Sequence, residues 1–305
     1  MPELPEVQTV VSELHPKLKN KVIKDVRVLM GKMVALGPAT VSNLRKIDDT
    51  TPAKFAKVLK GQKITGVTRR AKLIIIDLAG KYAMLVHLKM TGQLIFRGKA
   101  ELDKPIRLFN IERYDPVRLP AKSTHVIFEF TDGSKLFYND FRQFGYLKLV
   151  TDIELPQVKE LSEFGPEPLE KEFTLEVFQN ILIRRPNAKL KSFLLDSNMI
   201  AGIGNIYSDE IMFYAKVRPM RLLKRLKPEE IKLLFKGIKK ILQDAVDHHG
   251  SSVGDFVRPS GDWGSYGKLH KVYGKSKLPC PICQTPIKSL KFNGRTSSFC
   301  PKCQK

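Results

Sequence analysis

Met1-Pro2-Glu3-Leu4-Pro5-Glu6-Val7 opens the chain, and the rest of the sequence is arranged around this stretch. Pro and Glu both suit a first helical turn: proline lacks an N–H that would go unused there, and a carboxylate favours the positive end of the helix dipole. Val7, Val10, Val11, Leu14 and Leu18 then recur at helical spacing, and Asn20 with the following β-rich run ends the pattern. The spacing predicts one amphipathic helix with Pro2 just ahead of it. The same residues also carry chemistry. Removal of Met1 would leave Pro2 as a terminal secondary amine able to attack an electrophilic carbon and form an iminium, with Glu3 and Glu6 near enough in sequence to move protons. An α-amino group titrates near ~8, so a good fraction is nucleophilic at neutral pH. A plain helix cap explains the hexapeptide too.

Beyond the helix, short β-type segments run from about Val22 to Leu149: 22–29, 64–67, 72–78, 83–88, 93–96, 125–130 and 135–138. Two hairpin turns are explicit, at Ala79-Gly80-Lys81 and at Thr131-Asp132-Gly133-Ser134, where Asp-Gly supplies a positive φ. Several short strands at this spacing predict a sandwich or barrel and exclude a parallel α/β sheet. Residues 31–55 and 97–122 fit poorly and read as loop insertions. Pro156, Pro166 and Pro168 break periodicity among acidic residues, and helical patterns follow at about 173–184, 188–196, 205–214 and 228–247. The expected organisation is a β domain over 1–150, a linker over 151–172, a helical domain over 173–250, a glycine-rich loop over 251–270 and a cysteine-bearing tail over 271–305.

The 53 Lys and Arg against 31 Asp and Glu leave a net charge of +22 among 305 residues, spread along the chain between ordinary hydrophobic segments. That describes a folded basic surface whose expected partner is a polyanion. No apolar run approaches the ~18 residues of a membrane span and nothing N-terminal reads as a signal peptide, so no membrane partner and a cytoplasmic location are expected.

All four cysteines lie in the tail as Cys280-Pro-Ile-Cys283 and Cys300-Pro-Lys-Cys303, two knuckles spaced to close tetrahedrally on one Zn2+. Four thiolates leave no open coordination position, so the zinc should be structural; redox pairing is the alternative. Between the knuckles, Lys288, Lys291 and Arg295 surround an Asn293-Gly294 turn, a ribbon presenting Arg295 or simply a solvated cation there. Upstream, Gly202-Ile203-Gly204-Asn205 joins two helical patterns, and the N–H groups of a helix beginning at Asn205 could hold a phosphate. A helix hairpin with an Asn cap reads equally well, and Glu210 is either functional or a first-turn acid.

Together these pieces resemble the formamidopyrimidine-DNA glycosylase/endonuclease VIII family, and Met-Pro-Glu-Leu-Pro-Glu-Val resembles its formamidopyrimidine branch. Matching segments recur in family order at the N-terminus, 69–72, 87–94, 138–145, 164–169, 191–210 and the cysteine tail. The resemblance implies an α+β multidomain fold: an N-terminal β-sandwich with an N-terminal helix, and a C-terminal helix-two-turn-helix domain with a zinc ribbon. It implies a monomeric bacterial base-excision-repair enzyme, nucleoid-associated through DNA binding, acting on double-stranded DNA containing oxidised bases. Such an enzyme excises 8-oxoguanine and formamidopyrimidines and nicks the strand by β,δ-elimination. In that scheme Pro2 attacks C1′, Glu3 is the acid, Glu6 and Glu210 support the site, and Lys72 contacts phosphate beside the lesion. Met90, Arg142 and Phe144 match the family's stack-filling triad, with core packing of Met90 and Phe144 as the alternative. Expected DNA contacts also include His87, Lys191, Asn205 and Arg295, and 251–270 corresponds to the lesion-recognition loop.

Gln8, where Glu is commoner, and Gln143, where a basic residue often sits, depart from the family pattern, as do the two insertions; these leave substrate range open. The rival expectations are an endonuclease VIII-type preference for oxidised pyrimidines, against which Leu4 argues because that branch usually has Gly there, and a non-catalytic zinc-ribbon DNA-binding protein.

Overall fold

The computed structural model describes residues 1–39, 50–109, 115–292 and 294–305. The expected Asn293 turn residue and parts of both insertions, 40–49 and 110–114, lie outside the described residues. The chain divides into two compact units, residues 1–163 with 249–265 and residues 164–248 with 266–305.

In the first unit, helix α1 (Leu4–Leu18) forms where the apolar spacing predicts it, burying Val7, Val10, Leu14 and Leu18 on one face. Asn20 then takes a left-handed φ of 70°, a turn conformation asparagine tolerates well. Strands β1 (Ile23–Val28), β2 (Val34–Leu36), β3 (Ile64–Arg70), β4 (Leu73–Leu78), β5 (Tyr82–His87), β6 (Gly92–Arg97), β7 (Thr124–Phe130), β8 (Lys135–Asp140) and β9 (Tyr146–Thr151) form two sheets. One has the order β1-β7-β8-β6 and the other β2-β9-β5-β4-β3. All pairings are antiparallel except β2 with β9. A single apolar core draws on α1 and both sheets, so the expected sandwich with its leading helix is present.

The described parts of the insertions hold more structure than their sequence implied. The first contains β2 and enters helix α2 (Thr51–Leu59), which buries Phe55 and Leu59. Three residues are too few to show a strand period, and α2, with Pro52 in its favoured first turn, is only nine residues long. The second lays Ile106 and Leu108 against Ile95, Ile127 and Phe137. Alternate residues Val126, Phe128 and Phe130 face the central core, so β7 is covered on both faces and loses its polar alternation. Strand β9 and the short helix α3 (Lys159–Ser162) extend the unit past position 150, with Val158 buried and the Lys148 ammonium 3.4 Å from Glu160 Oε1. The division therefore falls after Glu163, within the expected linker, and the expected 251–270 loop is split after Ser265.

The second unit holds α4 (Leu175–Leu182), α5 (Leu190–Leu195), α6 (Asn205–Tyr214) and α7 (Pro228–Asp247) around a core that includes Phe178, Phe193, Ile211 and Leu234. The face of α7 read from the sequence turns inward at Leu234, Ile238, Ile241, Leu242 and Ala245. Strands β10 (Lys288–Phe292) and β11 (Arg295–Phe299) form the ribbon hairpin, with Gly294 at a φ of +71°. No helix among the described residues is long and apolar enough to cross a membrane.

Candidate functional site

In the first unit, sheet register gathers the expected residues at one end. Leu73 pairs with His87, and His87 pairs with Tyr146. The Ala71-Lys72 turn before β4, the turn 88–91 after β5 and the loop 141–145 before β9 therefore leave the five-stranded sheet at the same edge. Lys72 belongs to a tight β3–β4 hairpin rather than to the strand its sequence suggested, with Ala71 at a φ of +53°. Helix α1 reaches the same end. His15 Nδ1 lies 3.0 Å from Val67 O, and Arg69 Nε donates to Gln8 Oε1 at 2.7 Å, so β3 runs antiparallel to α1 and carries its turn toward Pro2.

Pro2, Glu3 and Glu6 are buried. Glu6 does positional work: one carboxylate oxygen accepts the Glu3 N–H at 2.7 Å and the other accepts the Ser251 N–H at 2.7 Å. A side chain at Gly250 would put its Cβ 2.8 Å from Glu6 Oε1, so glycine there lets the 250–252 backbone pass the helix start. The segment returns at Ser265, which bridges to Ser251, and is tied along its length by Gln93 Nε2 to Asp255 O at 2.9 Å and Phe96 N to Pro259 O at 3.0 Å.

The expected stack-filling residues are assembled and open to solvent. Arg142 Nη1 lies 3.0 Å from Met90 Sδ, and its guanidinium carbon lies 4.8 Å from the centre of the Phe144 ring, which is 54% exposed. Neither Met90 nor Phe144 is a core residue. Their organiser is Asp140, which the sequence did not single out: it accepts the Thr91 hydroxyl, the Arg142 N–H at 3.2 Å and the Gly145 N–H at 2.7 Å. A Cβ at Gly145 would stand 2.2 Å from the Tyr138 hydroxyl, which accounts for glycine at the end of this loop. His87 is neutral: burial pushes its imidazole down to about 3, reinforced by the charges of Lys89 and Lys72. Its Nδ1 accepts the Lys89 N–H at 3.0 Å.

In the second unit, the expected residues divide into framework and surface. Lys191 is 1% exposed, and its ammonium donates to Asn205 O at 3.1 Å, Ser208 Oγ at 2.8 Å and Asp209 Oδ1 at 2.6 Å. Glu210 accepts three successive backbone N–H groups, those of Lys271, Val272 and Tyr273, at 2.8–2.9 Å. Burial raises the Glu210 carboxyl above the usual range while those N–H groups pull it back. Both side chains hold backbone in place. Asn205 is the first helical residue of α6, not its cap, which is Gly204. Its Nδ2 donates to Thr296 O at 3.0 Å, placing it one residue from the exposed Arg295. Asp209, also missed in the sequence, joins α6 to β11 by accepting Ser297 Oγ at 2.5 Å and Ser298 N at 2.8 Å.

The four cysteine sulfurs lie within 4.8 Å of one another. Cys283 and Cys300 are 3.5 Å apart and Cys280 and Cys303 3.9 Å, close to the ~3.8 Å edge of a tetrahedron with metal–sulfur bonds of about 2.3 Å and far beyond a covalent S–S bond of ~2.05 Å. The set fits a tetrahedral metal and is not disulfide-bonded.

Residues 1–147 match the formamidopyrimidine-DNA glycosylase N-terminal domain, 164–257 the formamidopyrimidine-DNA glycosylase H2TH domain, and 277–305 a zinc finger found in FPG and IleRS. A formamidopyrimidine-DNA glycosylase of Pelotomaculum thermopropionicum is 38% identical over 305 residues, covering 100% of this chain and 99% of that protein. The one from Listeria monocytogenes (strain EGD-e) is 38% identical over 305 residues, covering 100% of both. The Lactococcus lactis Fpg, solved in complex with DNA containing an abasic site, superposes with a TM-score of 0.82 at 30% identity over 100% of both chains. Sandwich, helical domain and cysteine ribbon together define a DNA repair glycosylase with a zinc-finger module. The chain belongs to the formamidopyrimidine-DNA glycosylase family.

Proposed function

We propose that this glycosylase is bifunctional: it excises oxidised purines, 8-oxoguanine and formamidopyrimidines, and nicks the strand by β,δ-elimination through an iminium on Pro2. The observation that carries the proposal is the convergence of the Pro2 end of α1, the Lys72 turn and the Met90–Arg142–Phe144 cluster at one end of the first unit. Once Met1 is removed, the Pro2 nitrogen attacks C1′, the C1′–base bond breaks, and the base leaves with a proton. Opening of the sugar ring with a proton from Glu3 gives an iminium. A secondary amine can form only the cationic iminium, an electron sink that acidifies the C2′ proton; its removal expels the 3′ phosphate, and a second elimination expels the 5′ phosphate.

Everting the base costs a few kcal/mol, and Met90 and Phe144 fill the vacated stack while Arg142 hydrogen-bonds the orphaned base. Lys72, Asn205 and Arg295 hold phosphates; His87, being neutral, can contribute packing or a hydrogen bond but no charge. Lys191 and Glu210 act by positioning the α6 turn and the 271–273 backbone. Zn2+ is the metal proposed for the four thiolates; when bound, it closes the ribbon and takes no part in the reaction. The protein is proposed to act as a monomer on chromosomal DNA in a bacterial cytoplasm.

Borohydride reduction on a duplex with 8-oxoguanine opposite cytosine tests the reading. A covalent protein–DNA adduct is expected, and it should disappear in Pro2→Gly. Binding of that duplex with no adduct from a protein shown by mass to lack Met1 would refute the lyase chemistry. A mutant of the Lactococcus lactis Fpg has been solved with DNA containing Fapy-dG, and the wild-type enzyme with DNA containing an oxidised pyrimidine. Excision of 8-oxoguanine should therefore be compared with that of thymine glycol, and faster release of thymine glycol would overturn the purine preference.

A further inference from the structure

Phe109 and Phe141 meet edge to face, with ring centres 5.8 Å apart and planes at 83°. Phe141 is 59% exposed, the first residue of the loop whose next residues include Arg142 and Phe144, yet no step proposed above uses it. Its partner comes from the second insertion, and the chain leading to Phe109 is firmly held. Ile106 and Val117 exchange backbone hydrogen bonds of 2.8 and 2.9 Å. Leu108 O accepts Gln93 Nε2 at 2.6 Å, and Arg97 donates to Glu101 O and Lys104 O at 2.9 Å. The insertion thus plants an aromatic edge against an exposed ring instead of covering it. The next residue, Arg142, reaches Met90 and Phe144, so Phe141 directly precedes the expected stack-filling cluster in the same exposed loop.

We propose that Phe141, braced by Phe109, is a further nucleic-acid contact: an aromatic wall that stacks on the nucleotide next to the orphaned base on the undamaged strand. Every base has a π face, so such a wall adds affinity without reading sequence. The strand assignment follows from Arg142, the adjacent residue, which faces the orphaned base; the inference therefore rests on the function proposed above. Phe109 is a positioning residue, acting through Phe141.

The test uses the full-length protein and a duplex with a tetrahydrofuran abasic analogue, with 2-aminopurine beside the orphaned base. Phe141→Ala should weaken binding about 5-fold or more, the low end of what loss of one aromatic–base stack produces, and should raise 2-aminopurine emission in the complex. Phe141→Leu, which keeps apolar volume without the π face, should fall between. Phe109→Ala should show the same emission change with a smaller loss of affinity. Thermal unfolding of both Phe141 variants should match wild type because the side chain is exposed. If Phe141→Ala binds as wild type does and leaves the emission unchanged, while wild type still binds and traps, the wall is refuted and the glycosylase reading stands. If wild type itself neither binds nor traps on lesion duplex, both fall.

Discussion

Two buried aspartates, one in each unit, organise the regions that hold the matched motifs by the same means and with opposite results. Asp140 collects Thr91, Arg142 N and Gly145 N, bracing a loop whose side chains Phe141, Arg142 and Phe144 project outward. Asp209 collects the Lys191 ammonium, Ser297 Oγ and Ser298 N, and its cation is drawn inward with it. In the first region Arg142 and Phe144 of the matched motif reach solvent. In the second, half of the matched residues are scaffold, and only Asn205 and Arg295 stand at the surface. A charged motif residue therefore stays at the surface or becomes an internal strut depending on whether the fold gives it buried polar partners, a counter-charge for Lys191 and backbone N–H groups for Glu210.

Metal removal separates the regions most sharply. Binding of a structural zinc supplies about 10–16 kcal/mol to small metal-folded modules, so chelation or Cys280→Ser should unfold the ribbon, release Arg295 from its place beside Asn205, and lower DNA affinity at least ~100-fold. Metal analysis with circular dichroism checks this, and the sandwich signal should survive. Asp209→Ala should come next. It strands the Lys191 ammonium in a dry site, a loss of about 3–5 kcal/mol in the second unit's urea unfolding, and Asp209→Ala with Lys191→Met should recover part of it.

Asp140→Ala removes one charged acceptor from three donors, and hydrogen bonds to charged groups contribute about 1.5–3 kcal/mol each without adding fully. A destabilisation of about 3 kcal/mol is expected, confined to the first unit, together with loss of abasic-duplex binding measured by fluorescence anisotropy.

Acid should act on both regions alike. Burial holds His87 at about 3 and His270 at about 4, each below the usual 6.5. Between those values and the ordinary one, the unfolded chain binds protons that the native chain refuses. The stability contributed is therefore present above pH ~6.5 and lost as pH falls, by up to about 1.4 kcal/mol per pH unit for each histidine. Urea titrations at several pH values should show this slope, flattened in His87→Asn. The smallest effect belongs to Arg295→Ala: binding weakens across all sequences, and the slope of log affinity against log salt falls by about one phosphate contact.

Much of this was legible because it is local. Helix α1, strands β1 and β3 to β8 and the 228–247 helix follow from apolar spacing, whereas β9 is not among the strands the spacing predicts, and the metal site follows from two cysteine pairs. The residues that hold the sites in shape were not legible. Asp140 and Asp209 look in sequence like any acid beside an Asn or a Ser, because their donors lie up to 89 residues away. Likewise β2 and α2 sat inside what read as an insertion, too short or too interrupted to show a period.

The sequence by itself determined the chemical inventory: a proline poised to become a terminal amine, carboxylates beside it, four thiolates in paired knuckles, and a charge of +22. Only the tertiary structure decided which of those groups are buried and which reach solvent. Sheet register brings Lys72, His87 and Arg142 to one edge, and burial turns Lys191 and Glu210 into supports. Whether a charge meets solvent or a partner depends on contacts between residues far apart in the chain, and no local pattern encodes those.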